Sequence, residues 1–286
     1  MVGVVIVSYR NHRETIDFIK TQLGKVHSDW KAIVVENSGD AEIAKEIASE
    51  CDGAFLEGSD SNLKEKEARV ITVSPGENLG FARGNNLGAR ILCDNFDIDY
   101  LLFTNDDIII EDRDVVARLK KDLDEKGDVA IVGPRVVGLD GGDQSPHYRV
   151  ITPLRQLGWR FLPFLRGRKK GKEDAGANTT APESGYCYWV SGCFFMMLAD
   201  DFQAVGGFDE ATFLYGEEVM LSERCKRIGK RAYFDSSVTV THKGGNSTKN
   251  LRSEALRRYL RQSNAHYYRE YLRSNPLIVW MYERFC

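Results

Sequence analysis

Short runs of continuously apolar, β-branched residues alternate along the first half of the chain with segments of helical spacing. Val2 to Val7 is such a run, stopped by polar Ser8, and reads as a strand buried on both faces. Ile16, Ile19 and Leu23 then recur at helical intervals within Glu14 to Leu23. Ala32 to Val35 predicts a second strand, Ala41 to Cys51 a helix, Arg69 to Val73 a third strand, Gly84 to Leu92 a helix and Tyr100 to Phe103 a fourth strand. Strands alternating with helices predict an α/β fold, a doubly wound and mainly parallel sheet covered by helices on both faces. Each predicted strand ends in a polar cluster, and strand ends are where such sheets bind ligands.

The rhythm changes near Leu139. Residues 140 to 185 read as an excursion containing one short apolar helix, Leu154 to Leu165, and a basic run from Arg166 to Lys172. Loops of this length are usually functional or solvent-exposed connections. Order returns with Tyr188 to Val190 and with Phe194 to Leu198, which flank Ser191-Gly192-Cys193. Val219, Leu221 and Arg224 fit a helix running to Ile228, with Gly229 as its stop. Val238 to Thr241 reads as a strand delivering His242 into the loop Lys243-Gly244-Gly245-Asn246-Ser247.

The pattern makes residues 1–250 one domain in two halves, 1–138 and 139–250. Residues 251–286 form a C-terminal helical extension. The formal net charge of −3 gives no case for nucleic acid as a partner. Six scattered cysteines form no CxxC pair, which predicts reduced thiols in a cytoplasmic protein. The run Val2 to Val7 is too short for a signal core or a membrane span.

Candidate chemistry concentrates in acidic clusters. Leu101-Leu102-Phe103 ends abruptly in Thr104-Asn105-Asp106-Asp107 before a second apolar run, Ile108 to Ile110. Adjacent carboxylates repel unless solvent or a cation compensates, so the cluster is either a solvated turn or an oxygen site for Mg²⁺ or Mn²⁺. Glu217 and Glu218 fall in the first turn of a predicted helix, where the dipole favours negative charge in any case. They are equally placed to act as a carboxylate base at the mouth of a cleft. The glycines of Asn78-Leu79-Gly80-Phe81-Ala82-Arg83-Gly84-Asn85-Asn86-Leu87-Gly88 fit neither a dinucleotide fingerprint nor a Walker loop. Close helix packing and close approach to a ligand both suit them.

In their order, Val5-Ile6-Val7-Ser8-Tyr9, Val34-Val35-Glu36-Asn37-Ser38, the Asn78 to Asn86 segment, Thr104 to Asp107, Gly206-Gly207-Phe208-Asp209-Glu210, Tyr215-Gly216-Glu217-Glu218 and His242 to Ser247 resemble the family-two inverting glycosyltransferases of the GT-A fold, especially bacterial rhamnosyltransferase-like members. The resemblance implies that Ser8, Tyr9, Glu36 and Asn37 contact the nucleotide, that Asn78, Gly80 and Asn85 lie beside the donor, and that Asn105, Asp106 and Asp107 form the variant DxD motif. Asp107 is then the metal-facing carboxylate, His242 completes the metal or diphosphate site, and Glu218, with Glu217 beside it, supplies the catalytic base. The sequence departs from the family pattern at Arg10, at Glu36 and Glu218 in place of Asp, and at Met220 in place of a further acid.

The implied cofactor is Mg²⁺ or Mn²⁺. The implied partners are a nucleoside-diphosphate sugar and a glycan or lipid-linked acceptor. Two rival readings are a sugar nucleotidyltransferase, which needs a glycine-rich loop after the first strand where Ser8-Tyr9-Arg10-Asn11 has none, and a catalytically silent nucleotide-sugar-binding protein. Arg and Tyr residues between Ser253 and Cys286, followed by Leu277-Ile278-Val279-Trp280-Met281-Tyr282, suit peripheral contact with the inner face of the cytoplasmic membrane. Packing on the catalytic domain or a homodimer partner would use the same composition.

Overall fold

The computed structural model describes residues 1–58, 67–162, 182–244 and 253–286. The basic run Arg166 to Lys172 and the Gly245-Asn246-Ser247 part of the late loop lie outside the described residues. The first strand, β1 (Val2–Ser8), is followed by α1 (His12–Asp17), whose path continues through a π turn and a 3₁₀ turn to Lys25. Then come β2 (Trp30–Glu36), α2 (Ala41–Glu50), β3 (Ala54–Glu57), β4 (Val70–Ser74), α3 (Gly80–Asn95), β5 (Tyr100–Thr104), β6 (Ile108–Ile110), α4 (Val115–Glu125) and β7 (Val129–Gly138). The second half adds α5 (Pro153–Phe161), β8 (Gly185–Cys187), β9 (Phe194–Leu198), α6 (Ala199–Ala204), α7 (Glu217–Arg227), β10 (Arg231–His242), α8 (Ser253–Glu270) and α9 (Pro276–Phe285).

The described strands form one sheet in the order β3-β4-β2-β1-β5-β9-β7-β10-β6, with β8 on β10. Strands β1 to β5, apart from the short edge strand β3 that the sequence pattern did not reveal, appear where the apolar runs predict them, and all pair in parallel. The sheet is nevertheless mixed, because β9 lies antiparallel to both β5 and β7, and β6 and β8 lie antiparallel to β10. Phe194 to Leu198 is apolar on both faces, a composition that fits a central strand of either direction, so periodicity alone could not orient it.

Both faces of the sheet are dry. Val4 and Ile6 of β1 enter one apolar cluster with Phe18, Leu23 and Leu119, while Val5 enters the opposite one with Leu87, Ile91 and Phe103. This alternation explains why β1 shows no polar face. Gly88 packs α3 directly on the sheet, since a Cβ there would sit 2.7 Å from Val5 Cγ1. Beneath the strand ends, Phe103 stacks on Phe195 at 5.1 Å between ring centroids and meets Phe202 at 4.9 Å and Phe208 at 5.1 Å. These rings bury large apolar area under the loops that carry the acids.

A third cluster holds the C-terminal helices. Leu157 of α5, Met220 of α7, Ala265, Tyr267 and Tyr268 of α8, and Val279 and Tyr282 of α9 pack together. Among the described residues no helix is long and apolar enough to cross a membrane. All six cysteines are free, in keeping with the expected reduced thiols.

Candidate active site

Loops at the carboxyl ends of β1, β2, β4 and β5 converge on a cavity of about 480 Å³. Tyr9, Asn37, Asn78, Gly80, Asn105, Asp106, Asp107, Glu217, Glu218 and His242 all line it. Ser8, Glu36 and Asn85, which the resemblance also places at the donor, stand behind its wall. Ser8 is buried and bonded to Thr15, Glu36 accepts from Ser38 N and Oγ, and Asn85 donates to Phe81 O. A larger groove of about 640 Å³ lies along α3 and α6, and none of the expected site residues lines it.

The donor-side loops are held by asparagines. Asn37 Nδ2 donates to Gly80 O at 3.0 Å, and its Oδ1 accepts from Leu79 N at 2.9 Å. Asn78 Oδ1 accepts from Gly80 N at 2.9 Å. Gly80 has φ +76°, and a Cβ there would collide with the Phe213 carbonyl, which accepts from Phe81 N at 2.9 Å. The Asn78 segment therefore docks on the 213–216 loop backbone to backbone, a contact that only glycine permits.

At one end of the cavity Asp106 and Asp107 follow β5. Asp106 Oδ2 accepts from Thr15 Oγ1 at 2.7 Å, and Thr15 in turn accepts from Ser8 Oγ at 2.7 Å. Burial, with Asp107 and Glu14 adding negative charge, pushes the Asp106 carboxyl up to about 7 despite the Thr15 bond. Asp107 Oδ1 is buried and has no hydrogen-bond partner, yet His242 Nε2 lies 3.2 Å from it. The other ring nitrogen, Nδ1, lies 2.7 Å from Gln144 Oε1. An amide oxygen only accepts, so with Oε1 toward the ring Nδ1–H donates to Gln144 and Nε2 is the ring atom that faces Asp107.

His242 Nε2 and Asp107 Oδ1 thus face each other at 3.2 Å. That is near the separation of about 3.0 Å expected for neighbouring ligand atoms around a six-coordinate ion bound at ~2.1 Å. Among the described residues no group of three or more His, Cys, Asp or Glu side chains gathers to cage a metal. A pair of protein ligands, with remaining positions for water and phosphate oxygens, suits Mg²⁺ or Mn²⁺. The residues present fit such an ion.

Opposite lie Glu217 and Glu218, at the start of α7. Two left-handed residues, Tyr215 at φ +77° and Gly216 at φ +83°, turn the chain into that helix. A non-glycine residue in this region costs about 1–3 kcal/mol, a strain typical of functional turns. Ser263 of α8 pins the turn by donating to Leu214 O at 2.9 Å. Upstream, Arg224 donates to Gly206 O at 3.1 Å and Gly207 O at 3.0 Å, and its guanidinium lies 3.3 Å from Asp209. Burial opposes the charge on Asp209, but bonds from Tyr271, just past α8, and from His266 of α8 draw it down to about 2.

Burial, aided by the charge of Glu218, raises the Glu217 carboxyl to about 8, and Glu217 Oε1 has no hydrogen-bond partner. Burial also raises Glu218, opposed by bonds from its own N–H and that of Gly192. Gly192 is bare for a reason: a Cβ there would overlap the Glu218 carboxylate. Sequence reasoning did not single out Gly192, Thr15, Gln144 or the wall residues Phe213 and Tyr259. Only Gly192 had a visible signal, a small-residue break between two apolar runs.

No protein-family profile matches the chain. Over 283 residues it is 23% identical to rhamnosyltransferase WbbL of Escherichia coli, covering 96% of each chain. It is also 23% identical over 229 residues to the low-salt glycan biosynthesis hexosyltransferase Agl10 of Haloferax volcanii, covering 79% of this chain and 62% of that one. In structure it resembles the mannosyltransferase PcManGT of Pyrobaculum calidifontis, solved with GDP-Man and Mn²⁺. The TM-score is 0.57 at 13% identity, over 99% of this chain and 68% of that one. It resembles GalNAc-T7, solved with UDP, GalNAc and Mn²⁺, with a TM-score of 0.59 at 15% identity, over 95% of this chain and 49% of that one. The fold is that of the GT-A glycosyltransferases. With a sugar transferase matching end to end in sequence, the expected resemblance is borne out.

The Glu217 environment predicts a pH signature in stability. Its carboxyl is raised from the usual 4.5 to about 8, so between those values the folded protein holds a proton that the unfolded chain has lost. Stability from this group is therefore full below pH ~4.5 and is lost as pH rises through ~8. Glu217→Gln should melt higher than wild type by a margin that grows across that window. A margin that stays constant from pH 5 to pH 8.5 in thermal melts would contradict the assignment.

Proposed function

We propose that the chain is an inverting, divalent-metal-dependent glycosyltransferase. It moves a sugar from a nucleoside-diphosphate sugar, dTDP-rhamnose or a UDP-sugar, to a hydroxyl of a glycan or lipid-linked acceptor in bacterial surface polysaccharide synthesis. The observation that carries this reading is one cavity lined on one side by the Asp107–His242 pair and on the other by Glu217 and Glu218.

Asp107 Oδ1 and His242 Nε2 would hold the ion. A bound Mg²⁺ or Mn²⁺ supplies Lewis-acid stabilisation of the charge that grows on the departing diphosphate. Tyr9, Asn37 and Asn78 line the nucleotide side of the cavity, and the asparagine-held backbone around Gly80 fixes its floor. Glu218 takes the proton of the acceptor hydroxyl as that oxygen bonds to the anomeric carbon and the bond to the diphosphate oxygen breaks. One displacement from the opposite face inverts the anomeric configuration. Burial raises Glu218 above the ordinary carboxylate range, which strengthens it as a base. Glu217, neutral below about pH 8, spares Glu218 a second buried charge beside it.

The same reading includes peripheral contact with an anionic membrane surface at the inner face of the cytoplasmic membrane. Helices α5 and α9 pack side by side, with Phe161 and Phe285 at 5.4 Å between ring centroids. Their outer faces expose Leu154 (60%), Phe161 (57%), Leu277 (63%) and Trp280 (56%). Arg155, Arg160 and Arg284 lie on the same two helices, the composition of an interfacial surface. Expected in a vesicle-pelleting assay at low salt is cosedimentation with anionic vesicles that Trp280→Glu abolishes. A full chain that stays in the supernatant, or runs as a dimer that Trp280→Glu splits, would assign the patch to self-association instead.

The chemistry is tested by three variants. Asp107→Ala should remove turnover that depends on Mg²⁺ or Mn²⁺ with the fold intact. Glu218→Gln should cost about 10²–10⁴ in rate with donor affinity little changed. Gly192→Ala, which displaces the Glu218 carboxylate, should cost about 10² for the same reason. Near-normal sugar transfer by Asp107→Ala would remove the metal role, and a crippled Glu217→Gln beside an active Glu218→Gln would exchange the two acids. A wild-type protein that binds donor with metal but neither transfers nor hydrolyses it would be a silent binding protein.

A further inference from the structure

We infer that Gln144 is the positioning residue that makes His242 a metal ligand, by holding the proton on Nδ1 so that the Nε2 lone pair faces Asp107. The inference rests on the metal reading above. It concerns a residue that lies outside the cavity wall and touches neither donor nor acceptor.

The contact is long in sequence and short in space: Gln144 Oε1 lies 2.7 Å from His242 Nδ1 across 98 residues. Gln144 is held by its own backbone. Its N–H donates to Val136 O at 2.8 Å, beside an isolated bridge between Val137 and Asp143. Its carbonyl oxygen meets His147 Nε2 at 3.1 Å, and His147 stacks on Trp189 at 3.6 Å between ring centroids. Room for the side chain comes from Gly138, the register partner of His242 on β7. A Cβ at Gly138 would sit 2.9 Å from Gln144 Nε2. The strand neighbour of His242 is bare where the glutamine crosses it.

The orientation of the amide decides the chemistry. With Oε1 toward the ring, Nδ1 keeps its proton and Nε2 is free to bind a cation. With the NH₂ group toward the ring, the proton moves to Nε2, which would donate to Asp107 and close the pair to a metal. The first orientation is the one the structure holds, with Oε1 2.7 Å from Nδ1. Partners of this kind typically change metal affinity about 10–100-fold when removed.

Substituting the glutamine separates the two cases, because a carboxylate at 144 can only accept. Mn²⁺ titration of the full chain followed by electron paramagnetic resonance, with no nucleotide present, should show Gln144→Leu binding about 10–100-fold more weakly than wild type. Gln144→Glu should bind at least as well as wild type. Because the new charge could itself attract Mn²⁺, ¹⁵N NMR of His242 supplies a second readout in the metal-free protein. Nδ1 should be protonated in wild type and in Gln144→Glu, and lose that preference in Gln144→Leu. Equal Mn²⁺ affinity of Gln144→Leu and wild type, or a loss in Gln144→Glu matching that in Gln144→Leu, overturns the inference. A wild type that binds no Mn²⁺ overturns the metal reading instead. The NMR comparison then decides the role of Gln144 alone, and one protonation pattern in all three proteins overturns it.

Discussion

Four carboxyl groups, Asp106, Asp107, Glu217 and Glu218, line one cavity, the first three buried and Glu218 partly exposed. Taking a carboxylate out of water is costly unless it is paired, bonded or protonated, and each of the four meets that constraint differently. Asp106 accepts from Thr15 and sits close to neutrality. Glu217 lacks a partner at Oε1 and stays protonated up to about pH 8. Glu218 is served by backbone N–H groups. Asp107 alone has a buried, unpartnered oxygen aimed at a ring nitrogen, and a cation there would remove the deficit. The strands beneath are dry on both faces, and the rings packed around Phe103 fill the space under the loops, so the acids must be satisfied within the loops themselves.

Backbone approach positions the acids as much as side-chain packing does. Gly80 lets the Asn78 segment touch the Phe213 carbonyl, and Gly192 lets its N–H reach Glu218. Tyr215 carries local strain that the surroundings must hold. They do so from α8 and the turn after it: Ser263 grips Leu214, and His266 and Tyr271 grip Asp209. The C-terminal helices are therefore part of the support of the turn that presents Glu217 and Glu218. Tyr259 of α8 also reaches the cavity, where its ring lies 4.7 Å from that of Phe213.

Much of this was legible in the chain. Strands buried on both faces announce themselves as β-branched runs, and β1, β2, β4 and β5 fall where those runs lie. The acid clusters were legible because charge at a strand end, or directly after two residues of turn, has few structural uses. The direction of β9 was not, since an apolar run carries no sign of its neighbours. Glu36, Ser8 and Asn85 show a second limit. Their motifs sit at the site, yet their side chains serve the wall of the cavity: Glu36 closes the turn at Ser38, and Ser8 supports Thr15. A motif marks where the backbone goes, while the pleat decides which side chain faces the cavity. Gln144 was invisible for another reason, because its partner is 98 residues away and the bare Gly138 between them carries no pattern.

The two ends of the molecule are mechanically joined. The apolar patch of α5 and α9 rests on the cluster that includes Met220 of α7, the helix whose first residues are Glu217 and Glu218. Tyr268, Tyr282 and Met220 share one close-packed cluster, so α9 and the start of α7 rest on the same core. A surface that seats this patch would also hold α8, and with it Ser263, Tyr259 and the turn at Tyr215. In a transferase whose acceptor is carried by a lipid, the element that meets the surface and the element that aims the base would then be one packed unit. Such coupling lets the acceptor arrive already oriented, which is where much of the entropy of a bimolecular displacement is recovered.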